Sequence, residues 1–137
     1  MDLKISKSKR NIPVEQVLEL YEANNWSAAK KPSKLYNGLL NSHQLFTAWD
    51  NDKLIGLGNA ISDGYLLVYF PHLLVLPEYK NKGVGKAIMH EMKQQYETFH
   101  MQMLTADVDA IPFYEKIGFS KAGTTQAMWM YKGVEHS

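Results

Sequence analysis

An α+β fold is predicted for this chain, and three observations predict it. Two β-rich runs, "HQLFTAWD" and "KLIGLGNAIS", flank the polar turn Asp50-Asn51-Asp52-Lys53 and read as an antiparallel hairpin. Segments beginning near Pro13, Pro32 and Val84 instead space their apolar residues at helical intervals. The chain has 137 residues, 45% hydrophobic and 21% charged, which is ordinary globular material and enough for one core. A single domain over residues 1–137 is therefore expected.

The elements follow in order from local rules. Leu3 to Ile5 reads as a short extended piece. In "PVEQVLELYEANNW" the residues Val14, Val17, Leu18 and Tyr21 share a helical face, Pro13 suits the first turn, and Asn24 and Asn25 suit the end. "SKLYNGLLN" offers Ser33 as the cap of a second, short helix with Leu35, Tyr36, Leu39 and Leu40 on one face. The hairpin comes next, then the turn Ser62-Asp63-Gly64 and a long strand from Tyr65 to Leu76. Three antiparallel strands thus precede "KNKGVGKA", residues 80–87. After it, Ala87, Ile88, Met92, Tyr96 and Phe99 mark a helix of about four turns. "MQMLTADV" reads as a strand, and "AIPFYEKIGF" as a short helix closed by Gly118. "FSKAG" and "AMWMYKG" are expected to be two final strands, with Trp129 packed in the second.

Composition removes several function classes. The net charge of +1 lacks the basic excess that would make nucleic acid a partner. Without cysteine there is no disulfide framework, no thiolate zinc site and no cysteine nucleophile. "MDLKISKSKR" has no apolar core of a signal peptide, and Tyr65 to Leu76 is far short of the roughly 20 residues of a membrane helix. A cytoplasmic protein with no membrane partner is expected. "HEMKQ" at His90 begins like a zinc-protease helix, but Gln94 replaces the second histidine, so no metal is expected.

"KNKGVGKA" lies between a strand and a helix, where backbone N–H groups and the helix dipole attract an anion. A P-loop needs a glycine five positions before Gly85 and Ser or Thr after Lys86; Lys80 and Ala87 stand there. A dinucleotide fingerprint needs a third glycine where Ile88 stands. What remains is a short turn in which Gly83 and Gly85 let a pyrophosphate approach the backbone.

At these residues the chain resembles the GNAT family of acetyl-coenzyme A-dependent N-acetyltransferases, whose signature is Arg/Gln-x-x-Gly-x-Gly/Ala after a strand. "LLVLPEYKNKGVGKAIM" is similar to that segment throughout, and "AIPFYEKIGF" to the later helix with its Tyr and Gly-Phe ending. Together they place most of residues 44–131 in that fold. The resemblance implies an α/β/α layered architecture: a mixed, mostly antiparallel central sheet of about six to seven strands, a splayed central strand and about four helices.

It also implies roles. The backbone of Leu73 and Val75 would bind the pantetheine arm along a splayed strand edge, with Pro71 helping to create the splay. Asn81, Lys82, Gly83, Val84, Gly85 and Lys86 would wrap the pyrophosphate. Lys80 stands where the family has Arg or Gln, and a point charge lacks the arginine fork. Asp107 stands where the family often has Asn, and could contact the coenzyme or a helix backbone, although a carboxylate cannot donate as an amide does.

Acetyl transfer needs a neutral amine, an oxyanion stabiliser and a proton for the departing thiolate. Tyr114 matches the family's general-acid tyrosine. Tyr69 occupies the strand position where some members carry Glu or His; it is a poor base and would line the acceptor channel. His72, three residues on, has the unperturbed pKa of a base and is set against simple loss of the amine proton to water. Trp26, Tyr36 and Trp49 are aromatic candidates for an acceptor pocket, each weighed against a place in the core. Acetyl-coenzyme A is the expected cosubstrate, and a longer acyl chain stays open. The acceptor is a small-molecule or peptide amine whose identity no feature marks. A homodimer through C-terminal strands or a sheet edge is an option such small folds offer. The alternative function is a non-catalytic acyl-coenzyme A sensor.

Overall fold

The structure, a computed structural model, describes residues 1–135. Among them the strands are β1 (Leu3–Ser6), β2 (Gln44–Asp50), β3 (Lys53–Ser62), β4 (Leu67–Tyr69), β5 (Leu73–Val75) and β6 (Met101–Met103). The helices are α1 (Val14–Ala23), α2 (Pro32–Leu40), α3 (Val84–Gln95) and α4 (Ile111–Lys116). The six strands form one mixed sheet in the order β1-β2-β3-β4-β6, with β5 also on β3. All pairings are antiparallel except β4 with β6. This is the mixed α+β fold, at the lower end of the expected strand count.

The expected hairpin is β2-β3, and Asn51 takes the left-handed conformation its turn requires at φ 52°. Of the helix faces read from the N-terminal half, Val17 and Tyr21 of α1 and Leu35 and Leu39 of α2 are buried, Leu18, Tyr36 and Leu40 are half-buried and Val14 is exposed, while α1 also buries Leu20, outside that reading. Ser33 does not cap α2. Pro32 opens that helix with Lys31 at the cap position, because proline's fixed φ suits the first turn and its missing N–H has no partner to lose there. Buried Val84, Ile88, Met89 and Met92 lay α3 on the sheet. Two glycines of β3 bring it close: a Cβ at Gly58 would stand 2.7 Å from Met92 Sδ, and one at Gly56 3.0 Å from Ile88 Cδ1. Since α3 begins directly after the glycine turn, this packing also sets where that turn sits.

Three expectations change. The long strand from Tyr65 to Leu76 is two short ones, β4 and β5. The Asp63 carboxylate accepts the N–H groups of Tyr65, Leu66 and Leu67 at 3.0, 2.9 and 3.2 Å, which delays the strand, and Pro71 has no N–H to carry it through the middle. "MQMLTADV" keeps only Met101–Met103 as strand. "FSKAG" and "AMWMYKG" form no strand, and Trp129 is 60% exposed and stacked on Tyr131 at 4.4 Å rather than packed. Strand propensity describes fit to a neighbour, and no ladder partner meets these residues.

Candidate active site

The site begins where the sheet opens. Phe70 N–H donates to the Met103 carbonyl at 2.9 Å. Past Pro71 the chain turns onto β3 alone, and among the described residues β5 has no strand on its other side. In the β3-β5 pair, His72 O accepts from Asn59 N–H at 3.3 Å and Leu76 N–H donates to Ile55 O at 2.8 Å. Hydrogen bonding in an antiparallel pair alternates, so Leu73 and Val75 turn their backbone groups to the open edge. The Val75 carbonyl there accepts from Asn24 Nδ2 at 3.0 Å, and the same amide reaches Leu20 O at 2.9 Å. Asn24 was legible as a helix end; its tie from α1 to the open strand was not.

A cavity of about 1380 Å³ fills this opening. One wall is the β4-β5 segment with Tyr69, His72, Leu73 and Val75; another is the glycine turn with Lys80, Asn81, Gly83, Val84, Gly85 and Lys86; Asp107 and Tyr114 face it from beyond β6. Every catalytic and coenzyme candidate named from the sequence therefore lies on one cavity except Lys82, whose ammonium stands 5.5 Å from the Tyr79 ring centre. Trp26 is on the cavity as well. Tyr36 and Trp49 are not: the Tyr36 hydroxyl donates to the Ile12 carbonyl, and buried Trp49 donates to Thr47 Oγ1 at 2.8 Å.

The turn has the backbone its sequence required. Asn81 and Gly83 have φ of 64° and 85°, and Gly83 precedes the first residue of α3. The first N–H groups of a helix have no partner within it, so those of Val84, Gly85 and Lys86 form an anion-binding end with the positive pole of the dipole. A Cβ on Gly83 would meet nothing within 4 Å, so the space over the turn belongs to the cavity.

Tyr114 is held by α4. Its ring lies edge-on to Phe113 at 5.0 Å and Phe119 at 6.0 Å, Phe119 N–H donates to its carbonyl at 3.0 Å, and the turn closes at Gly118 with φ 106°. The Lys93 ammonium, donating to the Ile117 carbonyl, ties the end of this helix to α3. Burial, and then the nearby Asp107 carboxylate, push the Tyr114 phenol above its ordinary pKa, so it is protonated at neutral pH.

His72 stands in an aromatic nest. Its ring is 5.4 Å from Tyr21 and 5.0 Å from Trp26, both edge-on, and its Nδ1 is 2.6 Å from the Tyr21 hydroxyl. Tyr21 is fully buried, and burial pushes its phenol well above the ordinary value. A buried hydroxyl hydrogen needs an acceptor, so Tyr21 donates and His72 Nδ1 accepts, which leaves the proton of the neutral ring on Nε2. Burial lowers the His72 pKa to about 4. Among the described residues, no group of three or more His, Cys, Asp or Glu side chains could hold a metal ion, and no helix is long and apolar enough to cross a membrane.

Comparison with known proteins agrees with this architecture. The family model of an acetyltransferase (GNAT) domain matches residues 13–135. The chain is 28% identical over 121 residues to ycf52 of Pyropia yezoensis, described as an uncharacterised N-acetyltransferase, covering 83% of this chain and 68% of that protein. The ycf52 protein of Porphyra purpurea, with the same description, is 28% identical over 127 residues, 88% of this chain and 71% of the other. A GNAT-family acetyltransferase from Streptococcus pneumoniae TIGR4 superposes with a TM-score of 0.80 at 27% identity, over 96% of this chain and 99% of that one.

Proposed function

The chain belongs to the GNAT acetyltransferase family, and from that membership we propose that it is an acetyl-coenzyme A-dependent N-acetyltransferase acting on a primary amine, small molecule or peptide, in a ternary complex. The observation that carries this reading is the one cavity lined by the open edge of β5, the glycine turn and Tyr114. The proposed setting is cytoplasmic, with the whole chain acting as one catalytic domain.

In this reading Leu73 and Val75 N–H groups and the Leu73 carbonyl pair with the amide-bearing pantetheine arm as an added strand would. The amides of Val84, Gly85 and Lys86 hold the pyrophosphate, with Lys80, Lys86 and Asn81 around it and Asp107 across the cavity. The amine nitrogen attacks the thioester carbonyl carbon, the C–N bond forms, and the C–S bond breaks from the tetrahedral intermediate. Tyr114 gives its phenolic proton to the departing sulfur, and the proton of the amine leaves through water. His72 has its proton on Nε2 and a pKa of about 4, so it serves as a neutral hydrogen-bond donor rather than a proton acceptor. Tyr69 lines the path of the acceptor.

The test is thiol release from acetyl-coenzyme A over a panel of primary amines, with Tyr114→Phe alongside. Amine-dependent release that falls about a hundredfold or more in the variant, at unchanged coenzyme affinity, supports the reading. Tight coenzyme binding with no turnover on any amine would instead make the protein an acyl-coenzyme A sensor.

A further inference from the structure

A second cavity, of about 310 Å³, shares His72, Ala28 and Lys31 with the main one. Its remaining wall comes from α2 and β3: Lys34, Leu35, Gly38 and Leu39 on the helix, Asn59 and Ile61 on the strand. The space suits on the order of ten non-hydrogen atoms, taking about 30 Å³ for each as for a liquid water. It is therefore the size of a small molecule, and it meets the coenzyme cleft at the histidine.

Its chemistry is lopsided. Leu35, Leu39 and Ile61 give an apolar floor, and two exposed lysines, Lys31 and Lys34, line it as well. Among the described residues no carboxylate lines it. Among the described residues neither lysine forms a salt bridge. Asn59 is already engaged: its Oδ1 accepts from His72 N–H at 3.1 Å and its Nδ2 donates to Ser42 Oγ at 3.0 Å. Gly38 adds an independent sign. Glycine in a helix interior costs about 1 kcal/mol relative to alanine, yet here a Cβ would meet nothing within 4 Å and no unusual φ demands glycine. What the missing side chain leaves is room at the cavity.

We propose that this second cavity receives the body of the acceptor, and that the acceptor is a small monoamine with an apolar portion and an anionic group, carboxylate or phosphate, held by Lys31 and Lys34. A polyamine or other polycation is disfavoured, because its second ammonium would face two lysines with no acid to offset them. This rests on the proposed acetyl transfer, which supplies the reaction; the cavity supplies the selection.

The experiment compares pentylamine with three relatives of similar length: 5-aminopentanoate, 4-aminobutyl phosphate and 1,5-diaminopentane. Binding to the protein with and without coenzyme A is read by calorimetry, and turnover by thiol release. The expected order is anionic over neutral over dicationic, with about tenfold between the extremes at low salt, shrinking as salt screens the lysines. The carboxylate and phosphate arms decide which anion is preferred. Lys34→Glu should reverse the order. Gly38→Met, which fills open space and raises helix propensity, should weaken all four amines while coenzyme affinity holds. A diamine that binds as well as 5-aminopentanoate, an order unmoved by Lys34→Glu, or no binding of any anionic amine would overturn the proposal. Absence of coenzyme binding would instead strike the reading of the main cleft.

Discussion

The Tyr21 hydroxyl lies 2.6 Å from His72 Nδ1 and assigns that ring its tautomer. A helix facing one side of the sheet thereby sets the chemistry of a strand bend on the cavity wall. Tyr21→Phe removes the only donor described for Nδ1 and leaves that nitrogen buried without a partner, which costs about 1–3 kcal/mol. The expected result is a lower urea midpoint at unchanged m-value, together with reduced kcat/KM as the imidazole loses its fixed orientation.

Protonation of His72 opposes folding. Its folded pKa, about 4, is below the unfolded value near 6.5, so the unfolded chain binds the proton more readily. Its share of stability is complete above pH 6.5 and is lost as pH falls from there toward 4. The shift corresponds to about 3 kcal/mol across that window. Urea unfolding of the wild type between pH 7.5 and 4.5, set against His72→Gln, reads this difference; parallel curves for the two proteins would refute it.

Gly83 and Gly85 differ in what alanine would do. At Gly83, with φ 85°, alanine is strained by about 1–2 kcal/mol although its methyl meets nothing. At Gly85 the methyl would sit 3.7 Å from Phe113 Cζ and Val75 Cγ2, ordinary contact, within a helix. Gly85→Ala should therefore keep or slightly raise the melting temperature while weakening coenzyme A binding by about tenfold or more. Calorimetric titration of a stable Gly85→Ala protein that retained full affinity would remove the pyrophosphate role from this turn.

Tyr114 carries a phenol raised by burial and then by the Asp107 carboxylate. A general acid must be protonated to act, so activity should persist to alkaline pH and fall only above the ordinary tyrosine range. Asp107→Asn removes the nearby negative charge and should move that alkaline limb to lower pH, a shift visible in the kcat profile.

Much of this was readable from local rules. The helix after Gly83, the hairpin at Asp50 to Lys53 and the helix of Tyr114 each depend on spacing and turn chemistry within a dozen residues. The catalytic and coenzyme candidates were named residue by residue, and all but Lys82 meet on one cavity, whereas of the acceptor-pocket aromatics only Trp26 does. Lys82 does not line it, and its ammonium goes to the Tyr79 ring. The final strands failed because "AMWMYKG" has strand-like composition without a ladder to join.

The order of residues along the chain determined which turns and helices form and that a glycine turn opens α3, because those outcomes rest on φ preferences and periodicity close at hand. Only the tertiary structure decided the rest. The sheet opens at Pro71 because β5 loses its second neighbour, and His72 is neutral with its proton on Nε2 because Tyr21, 51 residues away, donates to it in a buried place. Such effects arise from groups distant in sequence that fill each other's hydrogen-bonding needs, and only packing brings them within reach.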